Sequence, residues 1–425
     1  VQRKTIQNYI HVMKYMGSKR ELLESISTVI DTKLKNGSVL LDLFSGTCGV
    51  GSFFRDRYSI YSNDIQTYSS AISKGIVESE LIQITKEKIK ELLLPNFDKN
   101  KQAILNNIPN IYKKSRNFIE ENKWNTESLK EYLSFIQSLP DPSLNGQYKS
   151  DDKENTWLHN TYFSHQQNPS KLPYIQTTFL FSEMYFSLEQ SIDIDSIKFA
   201  IDKLDNENLK NILNTALIHA YSYNSAGTGH FAQFRDLSTL SSVKDVFLYR
   251  TRSVWDYFLR KAEEIIMGTK ITQYASRSKS FSMDYVDLLN NKELMSKVGL
   301  IYADPPYSFV HYSRFYHAIE DLCRYDYPTV EFKGRYRMDR HQSPFCIKSK
   351  VPKAFETLLS KAKAFNIPVL ISYSNTGMID LNSIIFISEE VGYRSEVIKL
   401  AHKHSTMGRL NDKDRDVTEA LIMCS

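Results

Sequence analysis

The sequence predicts an α/β fold, a mostly parallel sheet with helices on both faces, interrupted by a large, mainly helical insertion. Three observations carry this. "SVLLDLFSGTCGVGSFFRD" reads as an apolar strand, a glycine-rich turn and a helix start, and "YSIYSNDIQTYSSAISKGI" repeats strand and helix at once. From about residue 78 to 270 the texture turns polar, rich in Asn and Lys, and helical. Strand patterns then resume in "SFSMDYVDLL", "KVGLIYADPPY" and "NIPVLISYSNTG". The expected division is a discontinuous α/β domain, 1–78 and 270–425, and an inserted, mostly helical region, 79–269.

Taken in order, Leu22, Leu23, Ile26, Val29 and Ile30 recur at helical spacing, and Asn36-Gly37 ends that helix. The two strand–helix units follow. Inside the insertion, "SELIQITKEKIKELLL" and "IDKLDNENLKNILNTALIHAYSYN" read as helices, and "SLPDPSLNGQYKSDDKENTW" as a loop. The final stretch, "SEVIKLAHKHSTMGRLNDKDRDVTEALIMCS", reads as two strands joined by a long basic loop. No repeat and no low-complexity linker marks off independent domains.

Bulk composition narrows the field. The 425 residues are 41% hydrophobic and carry a net charge of +5, which permits a polyanionic partner without demanding one. Aromatics make up 12%, enough for ring-stacking surfaces or for a large aromatic core. Cys48, Cys323, Cys346 and Cys424 are scattered with no C-x-x-C pair, so reduced thiols in a cytoplasmic protein are expected, with neither a zinc site nor a disulfide framework. No apolar run reaches about 18 residues, so no membrane span is expected. The N-terminus shows no signal-peptide pattern, and Val1 implies an initiating Met cut off or left out.

In "DLFSGTCGVG" the glycines at 46, 49 and 51 follow a strand directly. Glycine lets the backbone turn sharply and approach a ligand closely. A dinucleotide fold wants G-x-G-x-x-G with pyrophosphate on the helix N-terminus, whereas here the order is G-x-x-G-x-G, preceded by Asp42. An acid there opposes a pyrophosphate but tolerates the amino group of a methionine moiety. Asp64, ending the next strand, can accept both ribose hydroxyls of an adenosine-containing cofactor. S-adenosylmethionine is therefore favoured over NAD. The competing reading is a tight strand–helix turn with no ligand.

"DPPY" closes another apolar strand. Asp304 and the carbonyl of Pro305 offer two acceptors aimed at one point. A planar amine conjugated to a ring is a poor nucleophile, because its lone pair is delocalised. Two acceptors on its N–H bonds hold the nitrogen nearer tetrahedral geometry and stabilise the positive charge that grows on it. Pro305 and Pro306 fix the turn and remove competing donors, and Tyr307 can stack on the target ring. A base inside a duplex must be flipped out to reach such a pocket. The bland alternative is a strand-ending turn with Asp304 as a cap.

With these motifs assembled, the chain resembles the Dam-like DNA adenine-N(6) methyltransferases of the alpha order. The matching features are "KYMGSKR", "DLFSGTCGVG", the acid of "YSNDI", a long insertion, "SFSMDY" and "DPPY". "SYNSAGTGHFAQF", "YSRFYHAIEDL" and "SYSNTG" resemble the branch that accompanies restriction endonucleases. The resemblance covers nearly the whole chain and is thin at roughly 80–160. It implies a class I methyltransferase (Rossmann-like) sheet and S-adenosylmethionine as cofactor. Tyr15, Gly17 and Lys19 would flank the cofactor pocket, and Asp42, Ser45, Gly46 and Gly49 would hold its methionine end. Asp64 would take the ribose and Asp284 the adenine amino group, with Asp304, Pro305, Pro306 and Tyr307 as the catalytic turn. Cys48 has no assigned role beyond a small buried residue; carbon-5 cytosine methylation would want a Pro-Cys dipeptide, which is absent.

The expected partner is double-stranded DNA, with a cognate restriction endonuclease as a further one, and a monomer that has no membrane association. Lys333, Arg335, Arg337, Arg340, Lys348 and Lys350 could neutralise phosphates, as could Lys403, Arg409, Lys413 and Arg415. Asn224, His230 and Arg235 stand in what reads as a loop suited to base-edge contact. Each run reads equally as a solvated charged face. His317 and Glu320 are expected to pack or hydrogen-bond. Rival functions are an RNA adenine methyltransferase, a cytosine-N(4) methyltransferase, for which Ser in place of Asp304 would speak, and a binding module that lost catalysis.

Overall fold

The computed structural model describes residues 9–121, 123–145, 148–227, 229–235, 237–307, 309, 312–401 and 418–425. The chain begins with α1 (Leu23–Lys33), β1 (Val39–Asp42), α2 (Gly49–Phe54), β2 (Ser59–Asp64) and α3 (Thr67–Val77). The inserted region follows as α4 (Lys86–Leu105), α5 (Pro109–Glu121), α6 (Thr126–Ser138), α7 (Lys153–His165), α8 (Gln176–Phe181), α9 (Leu188–Asp202), α10 (Glu207–Asn224), α11 (Leu240–Arg250) and α12 (Val254–Thr269). The chain returns through β3 (Lys279–Ser282), α13 (Tyr285–Asn290), α14 (Lys292–Met295), β4 (Val298–Ala303), α15 (Tyr312–Phe315) and α16 (His317–Arg324). A short hairpin, β5 (Val330–Glu331) and β6 (Tyr336–Arg337), precedes α17 (Val351–Lys363), β7 (Val369–Ser374), α18 (Leu381–Glu390), β8 (Ser395–Ala401) and β9 (Thr418–Cys424).

The main sheet has the order β3-β2-β1-β4-β7-β9-β8. The first five strands are mutually parallel, and β9 runs antiparallel to both its neighbours. This is the sheet expected of a class I methyltransferase. Side chains alternate between two buried layers, as strand geometry requires. Leu40, Ile60, Leu300 and Tyr302 face one layer, and Leu41, Tyr61, Ile301 and Ala303 face the other. From β1 the chain proceeds to β2 on one side, while β4 lies on the other. That reversal opens a crevice at the strands' C-terminal ends, where open α/β sheets bind ligands.

The insertion's Asn-rich, polar texture has a local cause. Thr85, Asn125, Asp152, Ser187, Asn206, Thr239 and Ser253 each cap a helix by accepting a backbone N–H. The insertion does not build a core of its own. Ile72 and Ile76 of α3, Ile212 and Leu213 of α10, Ala262 and Ile265 of α12, and Leu300 of β4 belong to one buried cluster. Gly75 permits the closest approach: a Cβ there would stand 2.1 Å from Thr215 Oγ1 and 2.7 Å from the Asn211 carbonyl. Thr215 Oγ1 also donates to the Ala71 carbonyl at 3.1 Å, tying α10 to α3.

All three tryptophans, Trp124, Trp157 and Trp255, stand in the inserted region. If its core is shared with the sheet, urea unfolding followed by tryptophan fluorescence and by far-UV circular dichroism should give coincident transitions. Gly75→Ala should shift both curves to lower urea by the equivalent of about 1–3 kcal/mol. A fluorescence transition that moves alone would mean that the insertion folds independently.

Candidate active site

Parallel pairing delivers the site's acids. Asp42 ends β1, Asp64 ends β2, Asp304 follows β4 directly, and Asp284 lies just past β3. Because these strands are adjacent, four carboxylates gather at one edge of the sheet. A fifth arrives from the opposite direction: Glu419 on antiparallel β9 pairs with Ser374, the last residue of β7. All nine residues expected to hold the cofactor (Tyr15, Gly17, Lys19, Asp42, Ser45, Gly46, Gly49, Asp64, Asp284) line one cavity, and so do Asp304, Pro305, Pro306 and Tyr307.

The glycine turn is held by short bonds. Leu43 N–H donates to the Tyr302 carbonyl at 2.9 Å and Ser45 N–H to the Asn63 carbonyl at 2.8 Å. Gly46 sits at φ +50°, and a Cβ there would come within 3.1 Å of the Tyr15 ring. Both the backbone conformation and the close approach therefore require glycine. Gly46 N–H donates to Asp64 Oδ2 and Gln66 N–H to Oδ1, each at 3.0 Å. Burial raises the Asp64 carboxyl, and these N–H groups pull it back in part. Each of its oxygens keeps a second lone pair for a ligand. Cys48 is fully buried at φ +56°, and burial pushes its thiol up to about 12, so it is a packing residue and no thiolate.

Asp42 Oδ2 and Ser45 Oγ are buried and find no hydrogen-bond partner among the described residues. Burial first, then the nearby Asp304 and Asp64, holds the Asp42 carboxyl well above the usual range. A dry carboxyl group in one cavity with an unused hydroxyl suits an ammonium-bearing ligand, whose positive charge would favour the ionised form. S-adenosylmethionine fits these residues. Asp284 caps α13, accepting from Val286 N–H at 2.8 Å through Oδ1.

Lys19 is the counter-ion of the turn. Its buried ammonium lies 3.1 Å from Asp304 Oδ1, 3.4 Å from Glu419 Oε1 and 5.3 Å from the centre of the Tyr307 ring. Burial opposes its charge, but Asp304, Tyr307 and Glu419 more than offset this and raise its pKa. Asp304 is pushed up to about 6, by burial first; Lys19 lowers it and Glu419 raises it. Lys19 engages Oδ1, which leaves Oδ2 for an incoming N–H donor. Tyr307 stands edge-on to Tyr373 with centroids 5.9 Å apart.

Several lining residues carry no mark in the sequence: Tyr302, Tyr312, Ser313, and His341 to Pro344 with Cys346. The last group belongs to the stretch that reads as a basic run. Glu419 is equally unmarked, since a single acid in an apolar strand gives no sign of a lysine some 400 positions away.

Burial corrects two of the expected DNA contacts, Asn224 and Arg337. Asn224 is fully buried as the last residue of α10 and donates to the Ala220 carbonyl at 2.8 Å, so it is core and not loop. Arg337 is buried among Asp321, Asp326 and Asp339, at 2.8 to 3.0 Å. Arg335 donates to the Leu180 carbonyl, and Arg340 pairs with Glu331 at 2.8 Å. Each thus has one internal hydrogen-bond partner among the described residues, and both are half-buried. His230 packs edge-on against Phe315, and Arg235 pairs with Asp245 at 3.6 Å. Lys333, Lys348 and Lys350 are exposed. Lys403, Arg409, Lys413 and Arg415 lie outside the described residues. His317 and Glu320 are buried and structural: His317 Nε2 contacts the Phe231 carbonyl at 3.0 Å, and Glu320 accepts from Thr67 and Tyr68 N–H at 3.1 Å.

The chain matches the D12 class N6 adenine-specific DNA methyltransferase family over residues 15–372, and it belongs to that family. It is 27% identical over 379 residues to the type II methyltransferase M.FokI of Planomicrobium okeanokoites, covering 86% of this chain and 45% of that one. It is 25% identical to the modification methylase LlaI of Lactococcus lactis subsp. lactis, covering 88% and 48%. It is 24% identical to the modification methylase StsI of Streptococcus sanguinis, covering 88% and 46%. The chain thus spans about half the length of these relatives. No solved structure matches it.

The two neighbours of Asp304 should move its titration in opposite directions. Lys19→Met should raise its carboxyl from about 6 by roughly 1–3 units, and Glu419→Gln should lower it. The 13C shift of the Asp304 carboxyl in aspartate-labelled protein reports this, and movement in one direction for both variants would contradict the arrangement. The sign for stability follows. The folded pKa lies above the unfolded one, so this group's contribution is complete below about pH 4 and is lost as pH rises through about 6. Asp304→Asn should therefore stabilise the free protein above pH 6.

Proposed function

We propose that this member of the family transfers a methyl group from S-adenosylmethionine to the exocyclic amine of adenine in duplex DNA, at a specific sequence and by base flipping. One observation carries the reading: Asp304 lines the same cavity as the glycine turn and Asp42, whose Oδ2 has no hydrogen-bond partner among the described residues. Acceptor and cofactor cradle thus face a shared space. Bound S-adenosylmethionine supplies an electrophilic methyl on a positively charged sulfur. Asp42 and Ser45 hold its amino-acid end, Asp64 its ribose and Asp284 its adenine.

The target amine's N–H bonds meet Asp304 Oδ2 and the Pro305 carbonyl. These acceptors turn the nitrogen lone pair toward the methyl and stabilise the charge that develops. The new N–C bond forms as the C–S bond breaks, and its electrons stay on sulfur. The methylated nitrogen then sheds a proton without a dedicated base. Lys19 keeps Asp304 ionised and aimed in a buried place, while Tyr307 offers a ring face to the base. The reach of the acid favours adenine over cytosine-N(4) chemistry, for which serine would be expected at 304.

The inserted region, 79–269, is the proposed reader of the target sequence. The relatives' names, type II methyltransferase and modification methylase, support a place in a restriction–modification system with a cognate endonuclease as partner. The proposed assembly is a monomer. Among the described residues no helix is long and apolar enough to cross a membrane.

Asp304→Ala should reduce transfer to labelled duplex DNA by at least about 10²-fold, while calorimetric cofactor affinity stays close to that of the parent. Asp64→Ala should weaken cofactor binding on the order of tenfold or more, because two charge-assisted hydrogen bonds disappear. Nucleoside analysis of the product should show N6-methyladenine. Label only in folded RNA, or N4-methylcytosine in the digest, would overturn the assignment.

A further inference from the structure

Arg235, Arg337 and Arg340, expected to meet DNA, are paired with acids of the protein, but a different set of cations is not. Lys14 lies over the rings of Tyr223 and Tyr249, at 5.3 and 5.9 Å. Arg252 stacks on Tyr249 at 4.0 Å, and Arg260 on Tyr257 at 4.7 Å. Tyr223 and Tyr257 are themselves nearly parallel, 6.3 Å apart. These residues come from the N-terminal segment, the ends of α10 and α11, the α11–α12 turn and α12, so the fold assembles a face that no stretch of sequence shows.

Three features set this face apart from a merely solvated one. Among the described residues, Lys14, Arg252 and Arg260 have no carboxylate within salt-bridge distance, whereas Arg337 has three. A guanidinium held over a ring keeps N–H donors available to an acceptor. Arg252 gives one N–H to the Tyr223 carbonyl at 2.7 Å, which fixes it further and leaves the rest of its fork. The face also adjoins the site: Lys14 precedes Tyr15, whose ring covers Gly46 in the cavity. Stacked, unneutralised cations beside a base-sized cavity match a repeating anion.

We propose that the face formed by Lys14, Arg252 and Arg260 on Tyr223, Tyr249 and Tyr257 binds the phosphodiester backbone of the duplex beside the flipped nucleotide. This rests on the DNA reading above and adds where the duplex lies. Its hold on the duplex is independent of sequence, so it sets affinity and salt dependence for any duplex.

The test is fluorescence anisotropy of a labelled duplex with the full chain across a range of salt concentrations. Arg252→Gln/Arg260→Gln should lower the slope of log K against log salt by roughly 0.9 for each phosphate no longer neutralised. Affinity at low salt should fall about tenfold for cognate and unrelated duplexes alike, and cofactor affinity should not change. Arg260 is exposed on α12, and Arg260→Lys should keep the parental slope. If the parent methylates the duplex while the Gln variant keeps its slope, this face is wrong and the function stands. A matching drop from Lys348→Gln/Lys350→Gln alone, or a drop seen with folded RNA and not with duplex, would also overturn the face. A parent that binds cofactor but neither binds nor methylates duplex overturns both readings.

Discussion

The site depends on one buried cation shared by two carboxylates. Five acids converge on the C-terminal edge of the sheet, and Lys19 sits within 3.4 Å of two of them. Burying unpaired carboxylates there would shift them all toward the neutral form. Lys19 keeps one, Asp304, near the ionised state, while Asp42 is left without a hydrogen-bond partner at Oδ2. The arrangement therefore divides the acids: one is prepared to accept a donor, and another awaits a positive group. Such division is how one cavity serves two ligands with different chemistry.

The sheet and the acids at its C-terminal edge were legible from the chain itself. The strand ends carry their own markers, since an apolar run followed by an acid and a glycine or proline turn has few other readings. Parallel pairing then makes the outcome nearly automatic: Asp42, Asp64, Asp284 and Asp304 must meet because their strands are neighbours. Glu419 was not legible, because β9 enters the sheet antiparallel and last, and nothing local tells which residue it will oppose.

The reading of DNA contacts fared worse, and for a physical reason. Adjacent positive charges in sequence say nothing about where their acids lie. Asp321, Asp326 and Asp339 surround Arg337 only after α16 and the β5–β6 hairpin have packed. Conversely, a cationic surface drawn from Lys14, Arg252 and Arg260 leaves no local trace, because Lys14 and the two arginines stand far apart in sequence. Asn224 failed similarly: the loop pattern begins a residue later than the helix ends.

The intimacy of α3 and α10 bears on how such proteins diversify. Where a residue as small as glycine is needed for two helices to touch, as at Gly75 against Thr215, the second helix cannot be swapped as a cassette. Grafting a relative's complete insertion would import a mismatched surface beneath the sheet. If the inserted region reads the target as proposed, retargeting by transplantation should keep α10 and α12 as native scaffold and exchange only the outer helices, so new specificities would arise at the periphery.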